Sequence, residues 1–161
     1  MQVFRLAKEK YAEDLSGHGA RLAGGRWNRS GVPALYTAES IALTVLEYLV
    51  HVPLGLKPDK LKIVTISIPD NAPGTEIPEA DLPADWNIYP FPPETAAMGS
   101  EWLESEKGLY LKVPSAVVPL CSNIILNPGH PLMGEVKIER TGCFKLDPRL
   151  LRQVTPIGKT R

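Results

Sequence analysis

Seven of the chain's sixteen prolines crowd into one stretch, IPDNAPGTEIPEADLPADWNIYPFPP, between Pro69 and Pro93. Proline cannot donate to a β-ladder and clashes with the preceding turn of a helix, so no long regular element can pass through here. Yet Ile77, Leu82, Trp86, Ile88, Tyr89 and Phe91 are spread along it, and side chains of that size gain from burial. The stretch therefore reads as an irregular excursion, with a turn of helix at most, packed on a domain whose regular elements lie to either side.

Before it, YTAESIALTVLEYLVHV predicts a helix over 36–52, with Thr37 as its cap and Glu39 favouring the positive end of the helix dipole. Apolar residues cover most of its circumference. The polar remainder, Thr44, Glu47 and His51, falls at i, i+3, i+7 in one narrow stripe. Such a stripe faces either water or a cleft, and periodicity does not separate the two. A second helix is expected from Thr95 to about Glu106. Alternation or continuous β-branched runs predict strands at 3–7, 62–69, 109–114 and 123–127. VKIERTGCFKL reads as a hairpin turning near Thr141-Gly142. Strands outnumber helices and come in runs. The expected architecture is a single α+β domain over 1–161, a mixed or antiparallel sheet with flanking helices.

Several function classes drop out on composition. Eighteen basic residues balance eighteen acidic ones, so no long-range field attracts nucleic acid or an anionic membrane. No apolar run approaches a membrane span, and the N-terminus lacks a signal-peptide core, which points to the cytoplasm. Cys121 and Cys143 stand 22 apart with no CxxC, and His18, His51 and His130 are scattered. Free thiols and no metal site are expected.

The residues with chemical reach begin in GARLAGGRWNRSG, 19–31. Gly24-Gly25 permits a sharp turn and close approach to a ligand. Arg26 offers a planar fork suited to phosphate, Trp27 a stacking face, and Asn28 a paired donor and acceptor. The stretch lacks both the Walker A pattern and the Rossmann fingerprint. The plainer alternative is a tight turn whose tryptophan packs in the core. Glu47 is the second candidate, on the polar stripe. Ser115 is the third: Pro114 ends a ladder and leaves its hydroxyl at a strand end, but no nucleophile elbow or histidine partner marks a serine hydrolase. Asn123 and Asn127 suit either a polar site or a turn.

One ordered series runs through these candidates. It comprises Phe4-Arg5, GHGA (17–20), GGRWN (24–28), Tyr36-Thr37, Leu46-Glu47, VPSAVVP (113–119), NIILNPGHP (123–131), and Phe144 with Asp147-Pro148-Arg149-Leu150. In order and spacing it resembles the RES domain family, named for Arg, Glu and Ser, over nearly the whole chain. The resemblance implies a toxin of a bacterial toxin–antitoxin pair with a fold similar to ADP-ribosyltransferases. It further implies that NAD+ is consumed by hydrolysis or phosphorolysis at the nicotinamide–ribose bond, as a substrate and with no other cofactor. Arg26, Glu47 and Ser115 then match the family's Arg, Glu and Ser, with Tyr36 completing the catalytic set at the nicotinamide pocket. Arg5 and Arg26 would contact the dinucleotide, with Trp27, Asn28, Tyr36, Asn123 and Asn127 around it. The implied partners are a helix-turn-helix antitoxin and a second copy of the chain. Two other activities fit the same residues: ADP-ribosyl transfer to a specific protein, and a non-catalytic module that grips a nucleotide or a protein.

Overall fold

Alternating apolar and polar residues at the N-terminus form strand β1 (Gln2–Lys8), which buries Val3, Leu6 and Ala7. The computed structural model describes residues 1–51 and 60–151. In it β1 lies inside a seven-stranded sheet of order β4-β5-β6-β2-β1-β3-β7. Its neighbours are β2 (Leu35–Ala38) and β3 (Leu61–Ser67), both antiparallel, with Phe4 opposite Ala38 and Thr65. β6 (Ser122–Leu126) pairs with β2 on one edge and β5 (Tyr110–Pro114) on the other. Only the short β4 (Gly74–Glu76) runs parallel to its neighbour, β5, so the described sheet is mixed. The expected α+β class holds.

Both faces of the sheet are covered. Ile124, Ile125 and Leu126 are consecutive in β6 and all buried, and consecutive strand residues point to opposite faces. On one face Val3, Leu35, Val64, Ile66 and Leu109 form a core with Ile124 and Leu126. On the other, Trp27, Trp86, Leu103, Leu111 and Val113 gather around Ile125. Helix α3 (Pro93–Glu104) closes that second face, close to the expected span, with proline at its first turn where a missing N–H costs nothing. It packs so tightly that a side chain at Gly99 would overlap the Trp27 carbonyl. Helix α1 (His18–Ala23) is short and precedes the glycine pair.

Three expectations need correction. The helix predicted over 36–52 starts later. Tyr36 and Thr37 belong to β2, where the Thr37 hydroxyl donates to the Ile124 carbonyl at 2.5 Å. Ser40, not Thr37, caps α2 (Ile41–Leu49), its hydroxyl accepting the Leu43 amide at 3.2 Å. Four residues of strand fit between β1 and β6, and that pairing outweighs helical periodicity; Val52 at the expected C-terminal end lies outside the described residues. The hairpin near Thr141-Gly142 is instead one strand, β7 (Lys137–Phe144). β3 pairs along its length and sets Gly142 opposite Ile63, with a register shift between Thr65 and Ile66. The proline-rich excursion is packed on the domain as expected, but it also contributes β4. Trp86 anchors it, buried against Trp27 with ring centroids 6.4 Å apart.

Candidate active site

Helix α2 lays Leu43 and Val45 inward, and Val45 joins Leu6 and Leu61 in a small core beneath it. Full burial of an aliphatic side chain is worth roughly 1.5–3 kcal/mol, so this contact fixes the rotation of the helix. The rotation turns the polar stripe into a cleft: Thr44, Glu47 and His51 all line it. The cleft encloses about 890 Å³, within the range of small-molecule sites.

Glu47 is held in place by neutral donors. The Ser115 hydroxyl donates to Glu47 Oε1 at 2.7 Å, and the Asn123 side-chain amide donates to the same oxygen at 2.6 Å. Ser115 in turn accepts the Val117 and Val118 amides at 3.1 and 2.9 Å. Pro114 ends β5 just before it, so the chain turns back and aims two N–H groups at one side chain. Ser115 is 0% exposed. Its proton and lone pairs are committed to Glu47 and the turn. The hydroxyl left at the strand end thus bonds the carboxylate and fixes its position. Among the described residues no hydrogen bond reaches Glu47 Oε2, which leaves that oxygen for a ligand.

The glycine-rich loop is a tight turn with two faces. Gly25 and Asn28 bond each other through the backbone, with the Gly25 amide donating to the Asn28 carbonyl at 2.8 Å. The Asn28 side-chain amide donates to the carbonyls of Ala20 and Val32, both at 2.9 Å. Trp27 points into the core and Arg26 into the cleft. Gly24 has φ +72°, a conformation that favours glycine. Gly25 is required for a different reason: a Cβ there would lie 2.6 Å from the Tyr36 hydroxyl. That hydroxyl donates to Asn28 Oδ1 at 2.7 Å and accepts the Trp27 amide at 2.9 Å. Tyr36 thus locks the loop to β2 while its side chain lines the cleft. Burial pushes its phenol well above the usual tyrosine range.

Two arginines reach the same space. Arg26 donates to the carbonyls of Trp86 and, at 3.0 Å, Ile88, and its guanidinium lies 5.9 Å from the centre of the Phe91 ring. Burial lowers its pKa, opposed by the negative charge of Glu47 nearby. Arg5 projects from β1 and donates to the Tyr11 and Asp14 carbonyls, at 3.4 and 2.6 Å. Burial also lowers its pKa, opposed by Asp14. Each guanidinium has five N–H groups, so both keep donors for an anion.

Of the residues expected to act together, Arg5, Arg26, Tyr36, Glu47 and Asn123 line one cleft, and Ser115 stands directly behind Glu47. Trp27 also borders that cleft, although it is buried and packs in the core, the plainer of the two sequence alternatives. Two do otherwise. Asn28 is buried and spends its side chain on the turn. Asn127 follows the far end of β6, about 13 Å along the strand from Asn123. It is buried, donating to the Leu103 carbonyl at 2.8 Å and accepting the Gly129 amide at 3.0 Å. Sequence reasoning missed Asn87, Tyr89 and Phe91, which supply one side of the cleft from the proline-rich excursion. Their signal was the aromatic spacing within that stretch. Among the described residues no group of His, Cys, Asp and Glu forms a metal site, and no helix is long and apolar enough to cross a membrane.

Comparison with known proteins identifies the family. A family model described as the RES domain matches residues 2–147. A protein named Toxin Res from Photorhabdus laumondii is 46% identical over 159 residues, covering 94% of this chain and 98% of its own length. The Prs ADP-ribosylating toxin of a Sphingobium species is 37% identical over 149 residues, with 91% and 92% covered. Among solved structures, a chain of the M. tuberculosis MbcT–MbcA toxin–antitoxin complex superposes with a TM-score of 0.66 at 21% identity, covering 93% of this chain and 86% of that one. At that identity the likeness speaks for the fold alone. With a family match from 2 to 147 and relatives covered almost end to end, the chain belongs to the RES domain family and is a toxin of that family.

Proposed function

We propose that this toxin consumes NAD+ by breaking the bond between the nicotinamide nitrogen and the ribose C1′ carbon. The observation that carries the proposal is the Glu47 carboxylate, fixed in the cleft by two neutral donors on Oε1. Among the described residues no cation pairs with it. A carboxylate held still but not neutralised suits a reaction in which positive charge grows on a sugar. As the bond lengthens, its electron pair leaves with nicotinamide as a neutral base, and charge spreads over C1′ and the ring oxygen. Glu47 faces that charge. An oxygen of water or phosphate then bonds C1′ and gives up its proton to solvent. Arg5 and Arg26 hold the pyrophosphate, so remote binding energy orients the scissile bond. The Tyr36 ring stacks on nicotinamide. Ser115 and Asn123 keep the carboxylate aimed.

ADP-ribosyl transfer to a protein shares the first step and differs only in the acceptor. It is kept as a second reading because one relative is named a Prs ADP-ribosylating toxin. NAD+ labelled in its adenylate separates the two. Label on small molecules alone, with free nicotinamide, is expected of depletion; label retained on a protein from cell extract marks transfer. Binding without release of nicotinamide would sink both and leave a non-catalytic module.

Such an activity calls for an inhibitor. A helix-turn-helix antitoxin from the neighbouring reading frame is the proposed partner, supported by the toxin–antitoxin complex that shares this fold. Co-expression should restore growth. The cytosol, which holds NAD+ and keeps thiols such as Cys121 and Cys143 reduced, is the proposed place of action. The proposed homodimer is tested by sedimentation.

A further inference from the structure

The cleft wall built by the proline-rich excursion has no part in the chemistry above, and its two aromatic rings differ. Phe91 lies beneath the Arg26 guanidinium. Tyr89 lines the same cleft yet is 80% exposed, and among the described residues no aromatic or cationic side chain covers its ring. Its backbone is nonetheless fixed. Arg26 bonds the carbonyls of Trp86 and Ile88 just before it, Trp86 is buried in the core, and Pro90, Pro92 and Pro93 follow. A large apolar face is thus presented from a braced main chain, which lowers the entropy lost when a ligand settles on it.

The order of groups along the cleft says which part of the ligand that is. Arg26 and Glu47 line the same cleft, but Arg26 touches the wall at Ile88 and Phe91, whereas Glu47 is held by Ser115 and Asn123 from the sheet. The wall therefore adjoins the guanidinium, and the carboxylate is anchored on different elements of the cleft. A nicotinamide dinucleotide has the matching sequence of reactive ribose, pyrophosphate and adenosine. With the ribose at Glu47 and the pyrophosphate at Arg26, the adenine falls at the wall. We propose that Tyr89 is the platform on which the adenine of NAD+ stacks, an inference that rests on the NAD+ function proposed above. Stacking needs only the ring face and tolerates any base.

The test compares wild type, Tyr89→Ala and Tyr89→Phe in nicotinamide release from NAD+, and in inhibition by ADP and by inorganic pyrophosphate. Because Tyr89 is mostly exposed, alanine should leave the melting temperature unchanged. The alanine variant is expected to raise KM for NAD+ and the inhibition constant of ADP about tenfold, while pyrophosphate inhibits as before. The phenylalanine variant stays within twofold of wild type. If wild type releases nicotinamide but alanine changes neither constant, or weakens ADP and pyrophosphate alike, the platform is refuted and the NAD+ function stands. If wild type releases none, both fall.

Discussion

Replacing Ser115 with alanine removes one oxygen that three groups share. The Val117 and Val118 amides lose their acceptor, and Glu47 Oε1 loses a donor at 2.7 Å. A neutral hydrogen bond contributes about 1 kcal/mol net and one to a charged group about 1.5–3 kcal/mol. The site is fully buried, so water does not readily replace the oxygen. The three losses overlap, and about 3 kcal/mol of folding stability should go. For a chain of this size about 1 kcal/mol moves the melting temperature by about 2–4 °C, giving a fall of about 6–12 °C. The effect on turnover has a separate origin. Asn123 still holds Oε1, but with one donor the carboxylate can swing, and a displacement of about 1 Å costs about 100-fold in rate. Because Ser115 has no surface in the cleft, the loss should fall on kcat, with KM within about twofold of wild type. Thermal melting and nicotinamide release across a range of NAD+ concentrations read both effects. A variant that melts early but keeps its kcat would show Ser115 to be structural only. A rise in KM at constant kcat would show that the hydroxyl touches substrate.

Gly25→Ala should lose stability and most activity together, because its Cβ would press on the Tyr36 hydroxyl at 2.6 Å; overpacking of this kind costs about 1–3 kcal/mol. A variant that melts and turns over like wild type would mean the loop yields freely. Alkaline pH should destabilise the protein through Tyr36. Burial raises its folded pKa above the ordinary value of about 10, so the folded state favours the protonated phenol. That contribution is complete below about pH 10 and is lost as pH rises toward the folded value. Urea midpoints measured between neutral pH and pH 11 should therefore fall more steeply in wild type than in Tyr36→Phe, and parallel curves would refute the assignment.

What the sequence made legible was local and periodic. Thr44, Glu47 and His51 were visible as one stripe, and all three do line the cleft, Thr44 and Glu47 from α2 and His51 from the turn beyond its end. What it faces depends on Leu6, Val45 and Leu61 meeting beneath the helix, a contact between residues far apart in the chain. Strands β1, β3, β5 and β6 followed from alternation and β-branched runs. β2 did not, because its four residues lead into α2 and look helical until β1 and β6 are present to pair with them. The sites taken from the ordered motifs divided on burial. Arg5, Arg26, Tyr36, Glu47 and Asn123 reached the cleft and Trp27 borders it from the core, whereas Asn28 and Asn127 carry the same amide as Asn123 and spend it on turns and packing. Composition does not reveal that difference, since a motif records which residues travel together and not which way each one points. Ser115 shows it most sharply: a hydroxyl at a strand end, aimed at another side chain.

The most direct measurement is nicotinamide released from NAD+ by purified wild type and by Glu47→Gln. Glutamine keeps a carbonyl oxygen for Ser115 and Asn123 to bond, so the variant should melt within a few degrees of wild type. It lacks the charge that faces the sugar, so release should drop about 100- to 1000-fold. A folded Gln variant that still releases nicotinamide at a rate near wild type would contradict the central role given to that carboxylate.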